Sequence, residues 1–200
     1  MSMILFINKV GNDFMIYEAK EFALKNGLKV IIRSPEVSES LQVLNHVVKV
    51  AKSTHYLLSE AEDYDMYYQN IKLEEDFISS FNNNKDYMLC VYLNGEIIGN
   101  SALRFNKHVK DVHRVSVGIA IQEEYQNIGI GSLLFDIMID LAKKSEGVEQ
   151  IELGVIAANE RAKHLYTKKG FVKTGDIPHE LKLKDGTYLD GETMVLFLNK

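Results

Sequence analysis

Two hundred residues, 46% of them hydrophobic and 26% charged, suffice for one domain with a sizeable core. The 23 basic and 28 acidic side chains leave a net charge of −5, which speaks against a general nucleic-acid binder. One cysteine, Cys90, excludes an internal disulfide and a multi-thiolate metal site. No apolar run approaches the ~18 residues of a membrane span. The apolar stretch 3–7 is too short for a secretory leader and lacks a basic flank, so the expected compartment is the cytoplasm. The six histidines show no ligand spacing with carboxylates, and no metal is expected.

The first 27 residues read as an extension: a short strand over 4–7, then a helix capped by Asn12 and closed by Gly27. They carry Ile4, Leu5, Phe6, Phe14, Tyr17 and Phe22, which need cover on the domain or on a second subunit. A homodimer is therefore expected over a monomer. The main domain is expected over 28–200. Residues 29–33 read as a strand, and a helix follows with Leu41, Leu44, Val47 and Val48 on its inner face. The tract 54–76 carries seven acidic residues against one lysine, Lys72, together with Tyr56, Tyr64, Tyr67 and Tyr68. It reads as a solvated helix face or as an acidic aromatic wall for a cationic amine. Residues 87–93 and 96–105 form a hairpin across Asn94-Gly95, whose type I′ turn needs positive φ at both positions.

A further strand is expected over 112–121. The period then changes: Leu133, Leu134, Ile137, Met138, Leu141 and Ala142 fall at helical spacing. A strand at 151–156, a helix at 159–169 and strands at 171–177 and 193–198 complete the chain. The order predicts an α/β domain, a mixed sheet flanked by helices.

Two segments carry chemistry. Gln126-Asn127-Ile128-Gly129-Ile130-Gly131 lies between a strand and a helix. Main-chain N–H groups at such a junction, with the helix dipole, suit a pyrophosphate. A third glycine three residues on, which a dinucleotide fingerprint needs, is replaced by Leu134. The second segment runs from Asn159 to Phe171. Asn159 can cap a helix and Gly170 can close it. Tyr166 is not explained by those roles. From Arg161 to Lys173 there are five basic residues and no acidic one, a reversal of sign that a polyphosphate would explain.

In this order the two segments resemble the GNAT superfamily of acetyl-CoA-dependent N-acetyltransferases. The first is similar to its Gln/Arg-x-x-Gly-x-Gly/Ala loop, and the second to its Asn-x-x-Ala-x-x-Leu-Tyr-x-Lys-x-Gly-Phe segment. The tail from Lys184 to Asp190 with Met194 is similar to a bacterial branch likened to ribosomal-protein acetyltransferases. The resemblance implies a GNAT-type acyltransferase fold with a mixed, mostly antiparallel central sheet. It implies acetyl-CoA as cofactor, with coenzyme A as product.

Position by position, main chain near Ile119 and Ile121 is implied to hold the pantetheine. The amides of Gln126, Asn127, Ile128, Gly129, Ile130, Gly131 and Ser132 are implied to hold the pyrophosphate. Asn159 matches a pantetheine contact, and Lys168 a lysine reaching the phosphoadenosine end. Tyr166 matches a tyrosine whose hydroxyl lies near the thioester sulfur. Many relatives carry a glutamate on the strand before the loop; 112–121 has no carboxylate. His113 is the candidate base there, Glu124 a weaker one, and water without any single base a third route. The expected acceptor is a primary amine of a small molecule. The alternatives are a peptide or protein amine, or acyl-CoA binding without catalysis. No nucleic-acid or membrane partner is expected.

Overall fold

The computed structural model describes residues 15–83 and 86–198. Eight strands form one sheet in the order β1-β2-β3-β4-β5-β6-β8-β7. They are β1 Lys20–Ala23, β2 Lys29–Arg33, β3 Tyr87–Leu93, β4 Glu96–Phe105, β5 Arg114–Ile121, β6 Gln150–Ile156, β7 Val172–Lys182 and β8 Tyr188–Phe197. Every pairing is antiparallel except β5 with β6, which is parallel. The helices are α1 Ser40–Ser53, α2 Asp65–Gln69, α3 Lys72–Asn83, α4 Ile130–Lys144 and α5 Glu160–Lys168. The fold is the mixed, mostly antiparallel α/β sheet the sequence implies.

Alternation along the strands gives the sheet two apolar faces. Leu103, Val115, Val117, Ile151 and Leu153 pack with Leu134, Phe135 and Met138 of α4 and with Tyr166 of α5. On the other face, Met88, Cys90, Tyr92 and Ile97 pack with Val43 of α1 and with Ile78 and Phe81 of α3. Cys90 is fully buried there. Asn94 and Gly95 adopt φ of 51° and 87°, as the β3–β4 turn requires.

Several expectations need correction. The strand over 4–7 and the Asn12 cap lie outside the described residues. The helix expected to end near Leu24 is not formed: Lys20–Ala23 is an edge strand paired to β2. Pairing with an available sheet edge outweighs local helical pattern. Gly27, at φ 84°, closes a β-turn rather than a helix. On α1 the inner face is rotated: Leu41 is 53% exposed while Val43, His46 and Val50 are buried, because α1 packs on both the sheet and α3. β5 begins at Arg114, so His113 stands in the preceding turn. β7 and β8 are longer than their apolar runs, since an irregularity between Ile177 and Leu181 lets the hairpin continue.

Candidate active site

The parallel ladder between β5 and β6 is short. It pairs Arg114 with Gln150, Val115 with Ile151 and Ser116 with Glu152, and stops. Beyond it β5 remains on β4 as far as Ile121, and β6 remains on β8 as far as Ile156. The two strands therefore part, leaving main-chain groups without a strand partner. Which groups face the opening follows from parity. Gln122 N–H donates to Ile98 O on the β4 side, and Gln150 N–H donates to His113 O on the β6 side. Val117, Ile119 and Ile121 hence turn their main-chain groups toward β6. By the same reasoning Leu198 N–H on Glu149 O and Ala157 N–H on Asp190 O leave Gly154 and Ile156 facing β5. These two β6 residues were missed in the sequence; only their place beside a splayed strand marks them.

The loop after β5 closes one end of the opening. Gly129 is the N-cap of α4 at φ 102°, a conformation that favours glycine, and a Cβ there would meet nothing within 4 Å. The helix has no side-chain cap and no acidic residue in its first turn. Leu133 N–H is bonded to Gly129 O, which leaves the amides of Ile130, Gly131 and Ser132 ahead of the intrahelical ladder. That is an anion site at a helix N-terminus. Asn127, at φ 64°, turns the chain into it and carries Ile128 along. Gln126 does something else: its N–H donates to Glu123 O (3.1 Å) and its Nε2 to Ile121 O (2.9 Å). It shapes the loop, and the N–H of Ile121 is the group left to the opening. Gln126 Oε1 is buried without a partner.

Gly131 serves packing. A Cβ there would stand 2.9 Å from Leu165 Cδ2, 3.4 Å from Ile121 Cδ1 and 3.5 Å from Ile119 Cδ1. The start of α4, the end of β5 and the middle of α5 thus converge on one point. Asn159 caps α5 through Oδ1, which accepts from Ala162 N–H at 3.2 Å. Tyr166 lies one residue beyond Leu165, 9% exposed, against Phe135 and Phe171 with ring centroids 5.2 and 6.1 Å away. Burial pushes its phenol up to about 12, so it is an uncharged donor at neutral pH.

The basic run is partly spent. Lys163 pairs with Glu160 and Glu192, Lys169 with Asp136, and Lys173 with Asp176. Lys168 is exposed at the end of α5, one turn past Leu165. His113 is not brought to the opening, and Glu124, on the loop that closes it, is engaged by an ion pair. His113 lies before the closed end of β5, four to eight residues from Val117 and Ile121, roughly 13–26 Å at strand rise. Glu124 is held by Lys49 Nζ at 2.5 Å.

On the sheet face opposite α4, a cleft of about 560 Å³ opens between α1 and the 60–68 segment. Val48, Lys52, His55, Glu60, Asp65 and Tyr68 line it. Lys49 ties α1 to the end of β5, through Gln122 (2.7 Å) and Glu124. Lys184, at the tip of the β7–β8 hairpin, binds Glu62 at 2.9 Å. The cleft therefore sits between a wall from the β5 side and a wall from the β8 side. Among the described residues no group of three or more His, Cys, Asp or Glu side chains could hold a metal, and no helix is long and apolar enough to cross a membrane.

The sequence and the fold match known proteins. Residues 47–171 match the acetyltransferase (GNAT) family. The chain belongs to that family. It is 27% identical over 110 residues to the L-amino acid N-acetyltransferase AaaT of Escherichia coli K12, covering 55% of this chain and 66% of that enzyme. It is 35% identical over 88 residues to an N-alpha-acetyltransferase of Sulfurisphaera tokodaii, covering 44% and 47%. The matches thus span about two thirds of one relative and half of the other. A GNAT acetyltransferase from Streptococcus pneumoniae superposes with a TM-score of 0.76 at 24% identity, over 84% of this chain and 99% of that one. YncA of Salmonella typhimurium, solved with acetyl-CoA, superposes at 0.72 with 18% identity, over 86% and 95%.

Proposed function

We propose that this GNAT protein is an N-acetyltransferase that moves an acetyl group from acetyl-CoA to a primary amine of a small molecule. The observation that carries it is the end of the β5–β6 ladder at Ser116 and Glu152, next to the uncapped start of α4. These residues fit the cofactor. Val117, Ile119 and Ile121 offer main-chain groups to an extended amide-bearing arm, as a missing strand would be met. The amides of Ile130, Gly131 and Ser132 suit its pyrophosphate, and the empty space above Gly129 lets phosphate approach. In this reading Asn159 Nδ2 would meet the arm and Lys168 the distal phosphate.

When bound, acetyl-CoA supplies an activated thioester carbonyl. The Ile119 N–H, the first on β5 beyond the ladder, would polarise the carbonyl oxygen. The phenol of Tyr166 hydrogen-bonds the departing sulfur. His113 stands far along β5 from the opening and Glu124 is engaged by Lys49, so in this reading the proton of the amine leaves through water in the open face. A second reading, a peptide amine as acceptor, is favoured by the likeness to an N-alpha-acetyltransferase. The test is a melting curve with acetyl-CoA, followed by thiol release with a panel of amines and short peptides. Stabilisation by acetyl-CoA and release with an amine are expected; no stabilisation at millimolar acetyl-CoA contradicts the reading.

A further inference from the structure

β7 carries a local distortion whose effect is to aim one carboxylate. Between Ile177 and Leu181 the register with β8 slips, and His179 sits at φ 56°. Its N–H donates to Asp190 Oδ1 at 2.8 Å and its ring stacks on Tyr188 at 4.2 Å. The bulge turns the next residue, Glu180, across β8. There it lies on Gly191: a Cβ on that glycine would come within 2.9, 3.0 and 3.3 Å of Glu180 Cγ, Cβ and Cδ. A glycine at 191 is what admits the side chain.

The face on which Glu180 lies can be deduced. Glu192 points to α5, where Lys163 Nζ is 3.2 Å away. Gly191 therefore faces the opposite side, the side of the cleft. Gly191 pairs with Ile156, the last residue of β6. Gly191, on which the Glu180 side chain lies, thus stands about one strand spacing, ~4.8 Å, from the strand that borders the opening.

The charges nearby decide what it can do. Glu152 is bound by Arg114, Glu124 by Lys49 and Glu62 by Lys184. Glu180 is exposed and has no ion pair among the described residues. No arginine is disposed to hold a carboxylate there. Arg33 is bound bidentately by Glu39, Arg114 is spent on Glu152, and Arg161 is on α5, beyond the sheet. Arg104 stacks on Phe77 and Phe81 of α3, away from β6. The cleft itself carries Glu60 and Asp65 against Lys52.

We propose that Glu180, laid across Gly191 beside the end of β6, selects acceptors that are net cationic and lack a carboxylate next to the amine. This rests on the acetyl-transfer reading. A negative charge beside the end of β6, on the cleft's side of the sheet, attracts a cationic amine and repels an α-carboxylate, while the missing arginine leaves that carboxylate without a clamp.

L-leucinamide and L-leucine differ in that one group. Each is assayed for kcat/KM by thiol release and titrated calorimetrically into protein saturated with coenzyme A, with wild type, Glu180→Gln, Glu180→Lys and Gly191→Ala. Wild type is expected to prefer leucinamide by roughly tenfold or more in both measurements. Glu180→Gln should erase most of that preference and Glu180→Lys reverse it. Gly191→Ala, which displaces the carboxylate without removing it, should fall between. Stabilisation by acetyl-CoA should be unchanged throughout. A preference that survives in Glu180→Gln, a wild type that prefers leucine, or a wild type stabilised by acetyl-CoA that neither binds nor acetylates either probe overturns the proposal. Loss of stabilisation by acetyl-CoA in the wild type would instead remove the transfer reading itself.

Discussion

Ser116 and Glu152 form the last rung between β5 and β6. That rung takes the Val117 N–H onto Glu152 O, and from the Val117 carbonyl onward β5 turns its main-chain groups on that side into open space. A parallel pair normally continues as far as both strands do. Here both strands go on, each held by its other neighbour, so the opening is built into the sheet rather than left by a frayed end.

Tyr166 is the side chain whose removal separates chemistry from binding. Tyr166→Phe keeps the ring against Phe135 and Phe171 and deletes only the donor. A fall in kcat of roughly ten- to a thousandfold is expected, with acetyl-CoA affinity nearly unchanged. Full wild-type kcat with saturating substrates would make Tyr166 a packing residue alone.

The contact at Gly131 predicts a coupling. Gly131→Ala puts a methyl group 2.9 Å from Leu165 Cδ2, a clash with the tip of a flexible side chain that costs about 1 kcal/mol, the low end of overpacking. Leu165→Ala makes room for it. In a double-mutant cycle by urea denaturation, the pair should be less destabilised than the sum of the singles by about 1 kcal/mol. Additivity would show that the helix start does not pack on α5 as described.

How much was legible in the sequence depends on the range of the signal. The Asn94-Gly95 turn and the inner face of α4 are local patterns, and both are found where the residues place them. The glycines of the loop were legible as a pair but not as two roles: Gly129 meets a φ of 102° while Gly131 meets Leu165, a partner distant in the chain. The edge strand Lys20–Ala23 was illegible because β2, not its own pattern, decides it. Glu180 was illegible for a similar reason. Its direction depends on a bulge at His179 and on a missing side chain at Gly191, on another strand. His113 falls inside β5 when the strand is begun at Val112, and the turn that excludes it shows only in the pairing of Arg114.

His46 makes stability depend on acid. It is 2% exposed, between Asn100 Oδ1 and the Gln122 side chain at 3.1 Å each, and burial holds it down at about 4. Gln122 Nε2 donates to Nδ1, so the proton of the neutral ring is on Nε2. Lys49 also opposes its protonation. A depressed folded value means that the stability is complete above the unfolded value near 6.5 and is lost as pH falls through about 4. The full loss is about 3 kcal/mol. His46→Gln should be less stable than wild type at pH 7.5 and should close most of that gap by pH 4. A gap independent of pH would contradict a neutral, buried His46.

The most direct measurement is amide hydrogen exchange with and without acetyl-CoA. The amides of Ile119 and Ile121, and those of Ile130, Gly131 and Ser132, have no strand or helix partner among the described residues. Acetyl-CoA should slow their exchange together, while Ser116 and Leu153, already paired, change little. Protection confined to other segments, or none at all, would contradict the placement of the cofactor between β5 and β6.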